Sequence, residues 1–260
     1  MVILMTHTVL ELKNVSKSYA LAPGSAKDAQ GRRAAIDNVS LTLAAGQIYG
    51  FAGLNGAGKT TSIKAALGLI QPDSGTIELF GSPIDAAAFN NIGFCPEKPV
   101  FYETLTAEEI VEFSGKLLNI TADENRKKYI LERVGLYDDR HKRVGAFSKG
   151  MQQRLGIACA MLHDPALYIL DEPASGLDPL GRRLIKDILK ELKHAGKTVF
   201  FSTHIIADIT EICDKIAIIH KGHILYEGSV DEFCPGHENG EERFVKIIQD
   251  YDSKNAAAEG

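Results

Sequence analysis

The chain has 260 residues, of which 45% are hydrophobic, so it holds enough apolar material for a sizeable core in one large or two modest domains. Its formal net charge of −5, with no long basic run, argues against a nucleic acid held mainly through its phosphates, and no apolar run approaches the ~20 residues of a membrane helix. Cys95, Cys159, Cys213 and Cys234 lie far apart without C-x-x-C spacing, which signals neither a zinc cluster nor a disulfide framework and leaves buried free thiols as the expectation.

The chain opens as β. The N-terminal VILM lacks the basic flank and the length of a signal peptide, and a soluble cytoplasmic chain is expected. LELKNV (10–15), VSLTL (39–43) and IYGF (48–51) read as strands, the second with alternating apolar positions. ALAPGSAKDAQGRR (20–33), polar and rich in small residues, reads as an exposed and mobile loop.

GLNGAGKTT (53–61) follows, and fits G-x-x-x-x-G-K-[ST] with Gly53, Gly58, Lys59 and Thr60 at the fixed positions. Three glycines within six residues let the backbone curl until successive N–H groups face one anion, and the helix starting near Gly58 adds first-turn donors and the positive end of its dipole. In this reading Asn55, Gly56, Ala57, Gly58 and Thr61 belong to the cradle, Lys59 reaches the β- and γ-phosphates, and the Thr60 hydroxyl holds Mg²⁺. A turn at QPDSG and a strand at TIELFG come next.

From 101 to about 163 the pattern is helical. Thr106-Ala-Glu-Glu109 and Thr121-Ala-Asp-Glu124 read as capping boxes, the second helix closing at Gly135, and Ile110, Phe113 and Leu117 share one face. The stretch reads as a helical subdomain inserted in an α/β core. Strands resume with ALYIL (166–170), TVFFS (198–202), KIAIIH (215–220) and HILYEG (223–228), apolar enough to be covered on both faces. Asp178 as N-cap, Pro179 at the first helical position and Gly196 past the end bracket one helix, with Leu184, Ile185, Ile188, Leu189 and Leu192 inward. The last 25 residues, 236–260, are polar apart from a short helix around 244–248, with a disordered end.

ALYIL ends in two carboxylates, Asp171 and Glu172. Neighbours on a strand point opposite ways, so Asp171 is assigned to Mg²⁺ and Glu172 to polarising an attacking water. Ser148 and Gly150 open the helix MQQRLGIACAML and offer a second anion site from a hydroxyl and backbone N–H groups.

The ordered set GLNGAGKTT, IGFCPE, FSKGMQQRLGIACAML, LYILDEPASGLDP and FFSTH resembles the ATP-binding cassette (ABC) ATPases over nearly the whole chain. The resemblance implies a P-loop fold with an antiparallel β subdomain, a RecA-like α/β core and the inserted helical subdomain, in a nucleotide-binding domain spanning 1–235. It also implies a homodimer or heterodimer that buries two ATP molecules, each gripped by the glycine loop of one subunit and the FSKGM signature of the other. Ser148, Gly150, Ser175 and Asp178 would then face the partner's nucleotide, His204 the γ-phosphate, and Tyr19 the adenine ring. Two departures stand out. The common Leu-Ser-Gly-Gly-Gln is here Phe147, Ser148, Lys149, Gly150, Met151, and Glu97 stands where the family usually has Gln as a metal ligand. Both resemble ATPases that serve type-2 exporter permeases. The expectation is an ATPase on the inner face of the cell membrane, driving a separately encoded permease docked near 97–105. The alternatives are a soluble ABC ATPase that assembles or regulates without transport and, more distantly, a P-loop kinase.

Overall fold

The computed structural model describes residues 7–20, 32–120, 123–235 and 239–259. Most of the expected mobile loop at 20–33, and Thr121 of the second capping box, lie outside them. In chain order the elements are β1 (Thr8–Ala20), β2 (Arg32–Ala44), β3 (Ile48–Ala52), α1 (Lys59–Ala66), β4 (Ser74–Leu79), β5 (Ser82–Pro83), β6 (Ile92–Cys95), α2 (Ala107–Leu117), α3 (Glu124–Arg133), α4 (Lys149–Met161), β7 (Leu167–Leu170), α5 (Pro179–His194), β8 (Thr198–Thr203), α6 (Ile206–Ile212), β9 (Lys215–His220), β10 (His223–Ser229), α7 (Val230–Phe233) and α8 (Gly240–Glu259). They divide into two compact units, Met1–Asp85 with Ser202–Gly260, and Ala86–Phe201.

In the first unit, β2, β1, β4 and β5 form an antiparallel sheet in that order. Leu10 faces Leu43 and Leu12 faces Leu41 across β1 and β2, all four buried, while Glu11, Lys13 and Glu78 form ion pairs. The alternation breaks at a bulge between Leu12 and Val15, where Asn14 has φ 53°, a conformation that Asn tolerates better than most residues. β3 is buried at all five positions and pairs parallel with β9, which is antiparallel to β10. Five buried residues in a row suit a strand covered on both faces; of the four later strands expected to be covered in this way, β10 is not, since none of its residues is fully buried.

The second unit holds β6, β7 and the start of β8, all parallel, with Ile92 opposite Leu167 and Tyr168 opposite Val199. Helix α4 packs on β6, and α2 and α3 pack on α4. Thr106 and Glu109 make the expected capping box of α2. The predicted bracket of α5 is also present: the Asp178 carboxylate accepts from the Gly181 N–H at 2.7 Å, with Pro179 next in line. Ile185, Ile188, Leu189 and Leu192 are buried, each contributing about 2 kcal/mol of apolar burial, and Leu184 is half-buried.

Several expectations change. Asp123 caps α3 by accepting from the Arg126 N–H, in place of the predicted box opening at Thr121. On the predicted face of α2 only Ile110 is buried; Phe113 and Leu117 reach the surface. The polar tail, read as a short helix around 244–248 with a disordered end, carries a 20-residue helix, α8, anchored by buried Phe244 and Ile248. All four cysteines are free thiols, but only Cys95 is fully buried. Among the described residues, no helix is long and apolar enough to cross a membrane.

Candidate nucleotide site

In the first unit, buried β3 delivers the chain into the glycine loop and α1 carries it away. Gly58, the N-cap of α1, has φ 116°, and a Cβ there would lie 2.7 Å from the Ala35 carbonyl oxygen. Both facts demand glycine. No side chain caps α1, so its first turn is not closed off by a residue of its own. Lys59 is only 6% exposed, and its ammonium donates to the carbonyls of Gly53 at 2.6 Å and Leu54 at 3.2 Å, holding the curl shut from inside. Asn55 and Gly56 are exposed, Ala57 is buried, and Thr60 and Thr61 are half-buried.

Two backbone bonds fix the loop to its surroundings. The Gly53 N–H donates to the Thr203 carbonyl at 3.2 Å, and the Gly222 N–H donates to the Ala57 carbonyl at 2.8 Å. His204, exposed, directly follows Thr203, so the glycine loop and the predicted γ-phosphate contact are tied within one residue of each other. Tyr19, 43% exposed at the end of β1, has the Lys17 ammonium 6.0 Å from its ring centroid. Sequence reasoning missed Thr203, which acts through a backbone carbonyl that leaves no mark on residue type, and Gly222, whose only signal was a glycine between two strands.

In the second unit, Asp171 directly follows β7, and its N–H donates to the Cys95 carbonyl at 2.9 Å, extending the β6–β7 pairing by one residue. Asp171 and Glu172 are 2% and 7% exposed. Glu172 has φ 49°, a left-handed conformation that costs a residue with a side chain on the order of 1–3 kcal/mol. Glu97 is exposed, with the Lys98 ammonium 3.8 Å away. Beside it lies a residue the sequence did not flag: buried Gln153, whose amide donates to the Pro96 carbonyl at 3.5 Å. Burial raises the thiol pKa of Cys95, and that of Cys159 to about 11, so neither is a reactive thiolate at neutral pH.

The predicted second anion site is also in this unit. Phe147 is buried and anchors the FSKGM segment. The next residue, Ser148, caps α4 by accepting the Met151 N–H at 3.2 Å. Ser148, Lys149 and Gly150 line a surface cavity of about 450 Å³ together with Gly176, Leu177 and Asp178, so three of the residues expected to face a partner's nucleotide share one recess. Among the described residues, no three of His, Cys, Asp and Glu are grouped as a metal-binding set. The donors read for Mg²⁺, a Thr hydroxyl and one or two carboxylates, are all oxygens, the chemistry this ion takes when phosphate supplies further ligands.

The model of the ABC transporter family matches residues 36–175, a span that contains the glycine loop, the signature segment and the acidic pair. The chain belongs to the ABC transporter family. Its fold is accordingly the P-loop ABC ATPase fold. An uncharacterized ABC transporter ATP-binding protein of Nostoc sp. is 43% identical over 78% of this chain and 62% of its own length, so the chain spans less than two thirds of that relative. The bacitracin transport ATP-binding protein BcrA of Bacillus licheniformis is 42% identical over 85% of this chain and 69% of its own. Among solved structures, the dimeric post-hydrolysis state of an ATP-binding cassette with ADP and Pi matches with TM-score 0.74 and 25% identity, covering 85% of this chain and 98% of that one.

Proposed function

We propose that this chain is the ATP-hydrolysing subunit of an ABC exporter, dimerising around two ATP molecules to drive a separate membrane-spanning permease. The observation that carries the reading is the glycine loop itself, a curl that admits no Cβ at Gly58 and is closed by a buried lysine at the start of a helix. In this reading Asn55, Gly56, Ala57, Gly58, Lys59, Thr60 and Thr61 grip the phosphates, Tyr19 stacks on adenine, and His204 contacts the γ-phosphate. Thr60, Asp171 and Glu97 are the oxygen donors that would hold Mg²⁺, which when bound would neutralise charge on the phosphates. Glu172 accepts the proton of the attacking water, and the cost of its left-handed backbone suits a position held for function.

The placement of Ser148, Gly150 and Asp178 around one open recess supports the dimer, as does the dimeric ADP-bound cassette that this chain resembles. ATP shifts the pairing equilibrium only through its better affinity for the closed pair, and hydrolysis reopens it. Transport is supported by the name of BcrA. A docking face for the permease is supplied by Val100, 92% exposed, and by Tyr102, whose ring meets Phe113 edge-on at 5.6 Å. The chain then sits on the cytoplasmic face of the membrane, bound through the permease.

Glu172→Gln tests the assignment. It is expected to bind ATP normally while phosphate release falls by about 10²- to 10⁴-fold, the usual share of general-base catalysis. Near-parental turnover would remove Glu172 from that role.

A further inference from the structure

Helix α8 takes no part in the reaction just described, yet it reaches the glycine loop through a single turn of chain. It packs along α6 and β10, with Phe244 and Ile248 buried. The Arg243 guanidinium lies over the rings of Tyr226 at 5.7 Å and Phe233 at 5.4 Å. Two turns further on, one oxygen of Asp252, Oδ1, accepts from the Lys221 ammonium at 2.7 Å and meets His220 Nε2 at 3.0 Å. The neighbouring Tyr251 ring packs edge-on against His220, with centroids 5.7 Å apart. Lys221, and after it His220, hold the Asp252 carboxyl below the usual carboxylate range, so the group is ionised at neutral pH.

Asp252 thus grips the side chains of two residues at a strained turn. Lys221 and Gly222 form the two-residue turn between β9 and β10, with φ of 48° and 85°, both positive as a type I′ hairpin turn requires. Gly222 adopts this freely; Lys221 does not. Both backbone groups of Gly222 are committed elsewhere: its N–H donates to the Ala57 carbonyl, and its carbonyl accepts from the Asp37 N–H at 2.9 Å. A Cβ at Gly222 would lie 3.0 Å from the Ala35 carbonyl oxygen, the same atom that excludes a Cβ at Gly58. The turn is therefore a spacer with α8 on one side and the phosphate cradle on the other.

We propose that Asp252 is a positioning residue for nucleotide: α8 clasps the Lys221–Gly222 turn and, through the Gly222 N–H to Ala57 carbonyl bond, holds the glycine loop in the shape that receives triphosphate. The inference rests on the glycine loop being the ATP site. The Asp252 side chain is 42% exposed and that of Lys221 61%, so the pair adds little to global stability, and its effect is expected at the turn and the loop.

The test uses the full chain with Asp252→Ala and Asp252→Asn, the second retaining the Oδ1 acceptor. Amide hydrogen exchange of segments 53–62 and 215–224 is followed without nucleotide, and ATP affinity and saturated turnover are measured alongside. Asp252→Ala is expected to speed exchange in 53–62 and to weaken ATP binding about three- to tenfold, with kcat within about twofold of the parent. Asp252→Asn should stay close to the parent in all three. Unchanged exchange in 53–62 for Asp252→Ala overturns the clasp whatever the nucleotide result, and faster exchange with parental ATP affinity overturns its role in positioning. If Asp252→Ala does not fold, Lys221→Ala carries the same expectations. A parent chain that binds no ATP contradicts the proposed function instead, and the exchange comparison still decides the clasp.

Discussion

The two helix starts proposed to meet triphosphate are built in opposite ways. At the head of α1 a glycine with φ 116° stands in the cap position, no side chain closes the turn, and a buried lysine holds the loop carbonyls. At the head of α4 the cap is an ordinary serine in extended conformation, exposed, whose hydroxyl oxygen accepts the Met151 N–H and whose O–H can still donate to an anion. The first site is made of backbone, with one buried lysine inside it. The second is a surface cap beside an open recess, and an exposed cap is what a ligand carried by another copy of the chain requires.

The contrast breaks most visibly at Lys59. Lys59→Ala is expected to weaken ATP binding by about a hundredfold, the order of a charge-assisted phosphate contact, as read by equilibrium titration. Ser148→Ala should leave binding by the single chain within about twofold and abolish ATP-dependent pairing. Equal loss of both activities would mean that the two starts serve one chain. Stability sharpens the same difference. Gly58→Ala forces a Cβ against the backbone of Ala35 at positive φ and should cost about 2–3 kcal/mol in urea unfolding. Gly150→Ala meets only the end of the Leu177 side chain at 3.0 Å and should cost less than about 1 kcal/mol.

The smallest expected effect concerns acid. The capping box of α2 depends on charge, since the Thr106 N–H holds the Glu109 carboxyl below its usual pKa of 4.5. A depressed folded pKa gives stability that is present above pH 4.5 and is lost as the pH falls through the folded value. The stability difference between the parent and Glu109→Ala should therefore shrink below pH 4.5. The glycine cap of α1 carries no carboxylate and adds nothing to that loss.

The glycine loop, the apolar strands and the caps at Thr106 and Asp178 were legible because each depends on residue types at short, fixed spacing. Of the C-terminal helix only the part around 244–248 was. Its composition is polar, and its order comes from tertiary anchors: Phe244 and Ile248 beneath, Arg243 over two rings, and Asp252 on the β9–β10 turn. The spacing 244, 248, 251, 252 is a helical stripe, and extending the periodicity past Ile248 to include Tyr251 and Asp252 would have lengthened the expected helix. At α3 both Thr121 and Asp123 are good cap residues, and local pattern does not rank them. The exposure of Phe113 and Leu117 escaped for a different reason, since apolar residues on one helix face do not say whether that face meets the chain's own core or a partner.

The most direct measurement is the sedimentation of Glu172→Gln at several concentrations, with and without MgATP. With nucleotide the chain should run at twice its monomer mass, and adding Ser148→Ala should return it to one. A nucleotide-loaded Glu172→Gln that stays monomeric at high concentration, alone and beside the proposed permease, would contradict a triphosphate shared between two copies.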